Sequence, residues 1–260
     1  MRTPQVFTGA PARVGPFTVQ RMLPAPGLPQ IDPFLFLDFF SADLVAGETP
    51  PGNAHPHRGF ETVTFVLEGE MGYRDSLGNK GVLATDSVEW MTAGSGIVHD
   101  GHRDHEFARR GGRITGIQLW VNLPARLKMT PPHARYLPPE TFPSTHIPGG
   151  RVRVLAGSAH GCTSPVDVKV PVTFLDYTLE AGASVTVPVP AEWNAFAQVC
   201  AGTLTGIPAG ALVHFTGDGA LTLTAGPDGV RTIVGLGEPI GEPVVAGGPF
   251  VMNTLSLIHI

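Results

Sequence analysis

Apolar and polar residues alternate in several short stretches of this chain. The stretch ETVTFVLEGE, residues 61–70, keeps a period of two until it reaches a Glu-Gly turn signal. The stretches SVEWM (87–91) and GIQLWVNL (116–123) follow the same pattern, and FLFLDFF (34–40) is an apolar run typical of a buried strand. Long helical periodicity is absent. The pattern therefore predicts a protein made of many short strands.

The alternation is interrupted near the middle of the chain and then resumes. Residues 126–150 are rich in proline and have little periodicity, which is typical of a linker on the protein surface. After this segment, NAFAQVCAGTLTG (194–206) aligns with ETVTFVLEGEMGY (61–73). We therefore predict an all-β chain with one barrel or sandwich in residues 1–125, a linker, and a second copy in residues 151–260.

Composition supports this reading and excludes some classes of function. The chain has 33 Gly and 26 Pro among 260 residues, and its net charge is −5. It has no cluster of Lys and Arg, so we expect no direct nucleic-acid binding, and no apolar stretch long enough for a membrane span. The two cysteines, Cys162 and Cys200, are too few for a disulfide framework and favour a reduced, cytoplasmic setting.

Five of the ten histidines fall between residues 55 and 105, about a fifth of the chain. Because residues i and i+2 of a strand share a face, His55 and His57 can bring two imidazoles to one point. The stretch TAGSGIVH offers a third imidazole, His99, after a glycine-rich turn. Three neutral imidazoles with open positions suit a catalytic Fe, Ni, Cu or Zn ion. The alternative is that these are ordinary loop histidines.

Several stretches resemble the pirin family of bicupins. They are IDPFLFLDFF (31–40), HPHRGFETVTFVLEGE (55–70), VEWMTAGSGIVH (88–99), IQLWVNL (117–123) and GPFVMNT (248–254). The resemblance implies an all-β fold of two tandem cupin (jelly-roll) β-barrels, the second one degenerate. It also implies one divalent metal ion in the first barrel, usually Fe(II), with His55, His57 and His99 as ligands; the site chemistry also accepts Ni, Cu, Zn or Mn.

The chain departs from the family at the fourth metal ligand. Pirins carry a glutamate two residues after the last histidine, whereas this chain has Gly101. On a regular strand Asp100 and His102 face away from a metal bound by His99, although a bulge could re-aim either one. Glu61 is another candidate, either as a ligand or as an acid that orients a ligand imidazole. Water in the vacated position is the remaining alternative.

The resemblance also implies a class of reaction. Some pirins use O2 to open the central ring of flavonols such as quercetin, with release of carbon monoxide and with a carboxylate that takes the substrate hydroxyl proton. We therefore expect a planar aromatic ligand and O2, an impaired site, and a preference for an anion at the open metal position. An apolar lining is predicted from four side chains that could instead be barrel core: Phe60, Phe65, Trp90 and Met91.

Other pirins act through protein contacts, so a non-catalytic, metal-dependent regulatory protein with a protein partner is the alternative function. We expect a monomer in either case. At the C-terminus, the apolar LSLIHI replaces the polar stretch and helix that family members have after GPFVMNT. We interpret this end as truncated or foreign.

Overall fold

A computed structural model of the protein describes residues 1–14, 17–47, 53–102 and 105–259, without the side chains of residues 17, 102, 105 and 108. Strands form most of this structure, as the alternation predicts. The described helices are short, and none of them combines the length and apolar character that crossing a bilayer requires. The all-β prediction is confirmed.

The strands of the first half of the chain are β1 (Thr3–Thr8), β2 (Ala10–Val14), β3 (Phe17–Leu23), β4 (Phe34–Leu44), β5 (His55–His57), β6 (Phe60–Glu68), β7 (Met71–Asp75), β8 (Lys80–Leu83), β9 (Val88–Thr92), β10 (Ile97–His102) and β11 (Gly112–Asn122). Helix α1 (His105–Arg110) lies between the last two.

The remaining strands are β12 (His133–Leu137), β13 (Ser144–Ile147), β14 (Gly150–Ala156), β15 (Ser158–Ala159), β16 (Cys162–Thr163), β17 (Val172–Leu179), β18 (Ser184–Val187), β19 (Asn194–Leu204), β20 (Ile207–Pro208), β21 (Ala211–Thr216), β22 (Leu221–Gly237), β23 (Val245–Gly247) and β24 (Phe250–Met252). The helical elements here are α2 (Leu255–Ile258) and two 3-10 helices, Ala125–Leu127 and Pro139–Thr141.

The chain forms two compact units that are discontinuous in sequence. The histidine unit contains residues 11–24, 34–139 and 240–260, and the second unit contains residues 1–10, 25–33 and 140–239. Strand pairing explains this division, because β1 at the N-terminus pairs with β21. The boundaries predicted at residues 125 and 151 divide the chain in sequence order. They therefore do not assign residues 1–10 and 25–33 to the second unit, or residues 240–260 to the histidine unit.

The proline-rich segment is more structured than a linker. Within it, β12 pairs with β9 in the histidine unit, and β13 pairs with β14 in the second unit. The side chain of Lys128 is only 1% exposed. Each of the two strands lies at the end of its sheet path. With partners on one side only, such strands carry a weak alternation, which explains why sequence periodicity did not detect them.

Two sheets of the histidine unit position its functional side chains. One has the strand order β12-β9-β6-β11-β4-β3-β2, and the other has the order β5-β10-β7-β8. The turn between β5 and β6 requires glycine at position 59, where φ is +88° and an added Cβ would lie 2.0 Å from the Val251 carbonyl oxygen. This turn also carries Arg58, which forms a β-bridge with Phe250 of strand β24.

The second unit repeats the central strand arrangement. Its main sheet has the order β1-β21-β19-β22-β17-β14-β13, in which β19 lies between β21 and β22 as β6 lies between β9 and β11. The segments aligned by sequence, 61–73 and 194–206, thus contain equivalent inner strands. Its core is a cluster of buried apolar residues that includes Tyr177. The LSLIHI end, predicted to lack a helix, contains the four-residue helix α2.

Candidate metal centre

Strands β5 and β10 bring the three predicted histidines together. The strands are antiparallel, and the register pairs His99 with His55 and Ile97 with His57. Alternation along β5 directs His55 and His57 to the same face. One ligand atom from each of the three histidines lies within 4.8 Å of the others. These residues, which we call the histidine cluster, could hold a metal ion.

The proton on His55 is fixed by its neighbour. Nδ1 of His55 lies 2.6 Å from the backbone carbonyl oxygen of Asn53. A carbonyl oxygen can only accept, so Nδ1 carries the proton and Nε2 presents a lone pair when the ring is neutral. The Asn53 N–H in turn donates to Oδ1 of Asp100 at 2.8 Å, and Oδ2 of Asp100 accepts from Arg74 at 2.8 and 3.0 Å. Asp100 thus anchors the segment that orients His55.

A buried carboxylate lies beside His99. Oε1 of Glu89 is 3.5 Å from Nδ1 of His99, and both side chains are only 4% exposed. The second oxygen of Glu89 accepts from the Thr64 hydroxyl at 3.2 Å. Strand pairing produces this contact, because β6 and β9 place Thr64 opposite Glu89. The arrangement directs Nδ1 of His99 away from the centre of the histidine cluster.

The distances within the histidine cluster fit a shared cation. The Nε2 atoms of His55 and His99 are 3.2 Å apart. Two nitrogens that each lie about 2.0–2.1 Å from one metal ion are separated by roughly 3 Å. Without a cation, the same distance allows a hydrogen bond from one protonated Nε2 to the other. His57 is buried, and neither of its ring nitrogens makes a hydrogen bond of good geometry to a described residue.

Burial favours the neutral, metal-binding form of two rings, those of His55 and His57. It lowers the pKa of His57 to about 2, an effect that the nearby His99 and His55 rings reinforce and the Pro249 backbone opposes. Burial also lowers the pKa of His55. Imidazole binds a metal ion only without a proton on the ligand nitrogen. Both rings are therefore ready to bind a metal ion at neutral pH.

The candidates for the fourth metal position lie in different surroundings. Asp100 faces Arg74 and Asn53, as the odd offset from His99 predicts. Glu61 is fully buried, and its Oε1 accepts from the Thr92 hydroxyl at 2.6 Å. His102 ends β10, but its side chain lies outside the described residues. Neither Asp100 nor Glu61 belongs to the metal-capable cluster found among the described residues.

Gly101, where the family has its glutamate, leaves open space beside the cluster. It lines a cavity that is also lined by His55, His99 and Glu89. Among the described residues other than its chain neighbours, Met71 alone, with Sδ at 3.4 Å, would lie within 4 Å of a Cβ added at Gly101. The backbone at this position is not in the left-handed region. The site therefore has room for a longer side chain at position 101.

The cavity lining differs from the predicted one. It is formed mainly by Val14, Thr18, Val19, Asp38, Phe40, Ala42, Asn53, Thr64, Met71, Ile114 and Gln118, and none of the four predicted residues lines it. Phe65 and Trp90 alternate with Thr64 and Glu89, so they face the opposite side of the sheet. Phe60 and Met91 share the cavity-side face but lie further along their strands. There Phe60 contacts the ring of His57, with centroids 5.2 Å apart.

Sequence reasoning missed two residues that contact the histidine cluster, Glu89 and Asn53. Glu89 could have been suspected, because an acid within the apolar run V-E-W-M is costly to bury without a partner. Asn53 had no such signal, because its contribution is a backbone carbonyl two residues before His55.

Comparison with known proteins agrees with this architecture. Residues 16–121 match the family model described as Pirin, and residues 174–259 match that of the Pirin C-terminal cupin domain. Pirin-like protein 2 of Arabidopsis thaliana is 41% identical over 237 residues, which cover 86% of this chain and 71% of the relative.

Solved structures share the fold over most of the chain. Quercetin 2,3-dioxygenase from Acinetobacter baumannii is 31% identical, with a TM-score of 0.92 over 100% of this chain and 94% of that one. Bacterial pirin YhhW from Escherichia coli, in complex with nickel(II), is 18% identical, with a TM-score of 0.72 over 91% of this chain and 100% of that one. By its sequence matches and its two cupin domains, this chain belongs to the pirin family.

Proposed function

We propose that this pirin is a metal-dependent oxygenase of flavonol-type substrates, with an activity limited by the missing carboxylate at position 101. The observation that carries the proposal is the convergence of three imidazoles beside a mostly apolar cavity. The quercetin 2,3-dioxygenase with the same fold, 31% identical to this chain, supports the class of reaction.

His55, His57 and His99 would hold the metal ion through neutral imidazoles. Fe(II) is the proposed ion, and Ni, Cu, Zn or Mn also suit three nitrogen ligands. Bacterial pirin YhhW was solved in complex with nickel(II), and its 18% sequence identity to this chain supports a shared fold but not a shared metal. When bound, a divalent ion supplies Lewis-acid chemistry at the oxygens of a chelating substrate. For the fourth metal position, the proposed ligands are Glu61, Asp100, His102 or a water molecule.

The cavity beside the cluster suits an aromatic ligand with a few hydroxyl groups. Val19, Phe40 and Ile114 present apolar surface for a ring, and Thr18 and Gln118 offer hydrogen bonds. A pocket of this kind, apolar with few polar groups, is typical of small-molecule sites.

Gly101 explains why the activity should be low. A general base that takes the substrate hydroxyl proton contributes typically about 10²–10⁴-fold to a rate. Glycine supplies no base, and the two carboxylates that line the cavity have other partners: Asp38 accepts from Arg21, and Glu89 contacts Thr64 and His99. A glutamate at position 101 would fit the open space found there.

The test compares the wild-type protein with Gly101→Glu, both loaded with Fe(II), on quercetin under O2, with release of carbon monoxide as the readout. We expect slow turnover by the wild type and an increase of at least about 100-fold in the variant. Ala at position 101 is the matched control, because it fills part of the space without adding a carboxylate. If both proteins bind metal and neither releases carbon monoxide, the oxygenase proposal fails and the regulatory alternative remains.

A further inference from the structure

Glu89 differs in its charge partner from three buried aspartates of the chain. Oδ2 of Asp38 accepts from Arg21 at 3.0 Å, and Asp100 accepts from Arg74. In the second unit Asp176 lies between Arg153 and Arg231. Glu89, only 3% exposed, has His99 as its ion-pair partner among the described residues.

A buried carboxylate without a permanent cation is costly. A neutral His99 can donate a hydrogen bond from Nδ1, but it cannot balance the charge of Glu89. A metal ion on Nε2 of the same ring would balance it, because the imidazole links the ion to the carboxylate. The burial of Glu89 is therefore best explained by a cation at the histidine cluster.

Glu89 and Gly101 face the same cavity. Three neutral imidazoles leave the full charge of a divalent ion uncompensated, and the family compensates part of it at the position that is Gly101 here. In this chain the carboxylate of Glu89 lies on the far side of His99, held by the Thr64 hydroxyl.

We infer that Glu89 is a positioning residue of the metal centre: its carboxylate fixes the proton of His99 on Nδ1 and supplies, through that ring, the negative charge that position 101 lacks. The inference rests on the metal site of the proposed function. It adds a role for a residue outside the histidine cluster, since carboxylates that orient metal-binding imidazoles raise their basicity and the affinity of the site.

The test measures Co(II) affinity by competition with a chelator, using the absorption of the bound ion as the signal. Glu89→Gln should lower the affinity about 10- to 100-fold. Glu70→Gln is the charge-matched control, because Glu70 makes a surface pair with Arg110 at 2.9 Å. We expect it to stay within threefold of the wild type. Adding Gly101→Glu to Glu89→Gln should restore affinity to within threefold.

The outcomes separate the two proposals. If the wild type does not bind Co(II), the metal site itself fails. If the wild type binds and folded Glu89→Gln matches it within threefold, the role of Glu89 is refuted. A double variant no better than Glu89→Gln would refute the equivalence of the two carboxylates.

A measurement on the wild type keeps the inference testable if Glu89→Gln does not fold. The ¹⁵N shifts of the His99 ring in metal-free protein report which nitrogen carries the proton. We expect the Nδ1–H form, and an Nε2–H form would overturn the inference.

Discussion

Replacing Lys128 with methionine tests whether a buried ammonium group holds the metal centre against the rest of its unit. The side chain is 1% exposed, and its Nζ donates to three oxygens: Gly59 O at 2.9 Å, Asn122 Oδ1 at 2.6 Å and Val251 O at 3.1 Å. These acceptors come from the turn after His57, the end of β11 and strand β24. Methionine keeps most of the side-chain length but donates no hydrogen bond.

The expected loss of stability follows from these three contacts. Each hydrogen bond from a charged donor contributes about 1.5–3 kcal/mol. Removing the ammonium recovers several kcal/mol of its desolvation cost, so the net loss should be about 3 kcal/mol. For a protein of this size, that corresponds to a fall in Tm of roughly 6–12 °C. Calorimetry and urea unfolding both measure this change.

Lys169→Met is the matched control. Lys169 makes an exposed pair with Asp167 at 2.9 Å, and its loss should change stability by less than about 1 kcal/mol. A Lys128→Met protein within about 1 kcal/mol of the wild type would refute the reasoning, because three buried acceptors would then cost little to leave unpaired.

Three further predictions follow from the same region. Burial lowers the pKa of Lys128 to about 8, so between pH 8 and 10.5 the folded state releases a proton that the unfolded chain keeps. The free energy of unfolding of the wild type, relative to that of Lys128→Met, should therefore rise over this pH range. If the difference in unfolding free energy between the two proteins does not change with pH, the pKa shift is contradicted. Gly59→Ala should lower the free energy of unfolding by more than about 3 kcal/mol, because its Cβ would lie 2.0 Å from the Val251 carbonyl oxygen. Gly101→Ala, in open space, should stay within about 1 kcal/mol of the wild type, and urea unfolding measures both. Asp100→Ala should weaken Co(II) binding about tenfold, because Asn53 would no longer be held where it orients His55, and unchanged binding in a folded variant would rule this out.

The sequence alone determined the class of fold, the family and the three histidines. Alternation in residues 61–70 predicts a strand, because every second side chain of a strand points to the same face. This alternation can be read from a short segment without knowledge of the rest of the chain. His55 and His57 are also a local signal, since two residues apart on a strand they must share a face. His99 was proposed from the glycine-rich turn before it, and the resemblance to the pirin family then implied the same three ligands. The missing carboxylate at Gly101 is visible by comparing the sequence with the family's pattern.

Only the tertiary structure decided what surrounds these histidines. Glu89 and His99 meet although their strands belong to two different sheets, and Lys128 meets Gly59 and Val251, which are 69 and 123 residues away in the chain. Such contacts depend on the pairing and packing of whole sheets, so no short segment encodes them. The same reason explains why the N-terminal strand belongs to the second unit and why Phe65 and Trp90 face away from the cavity.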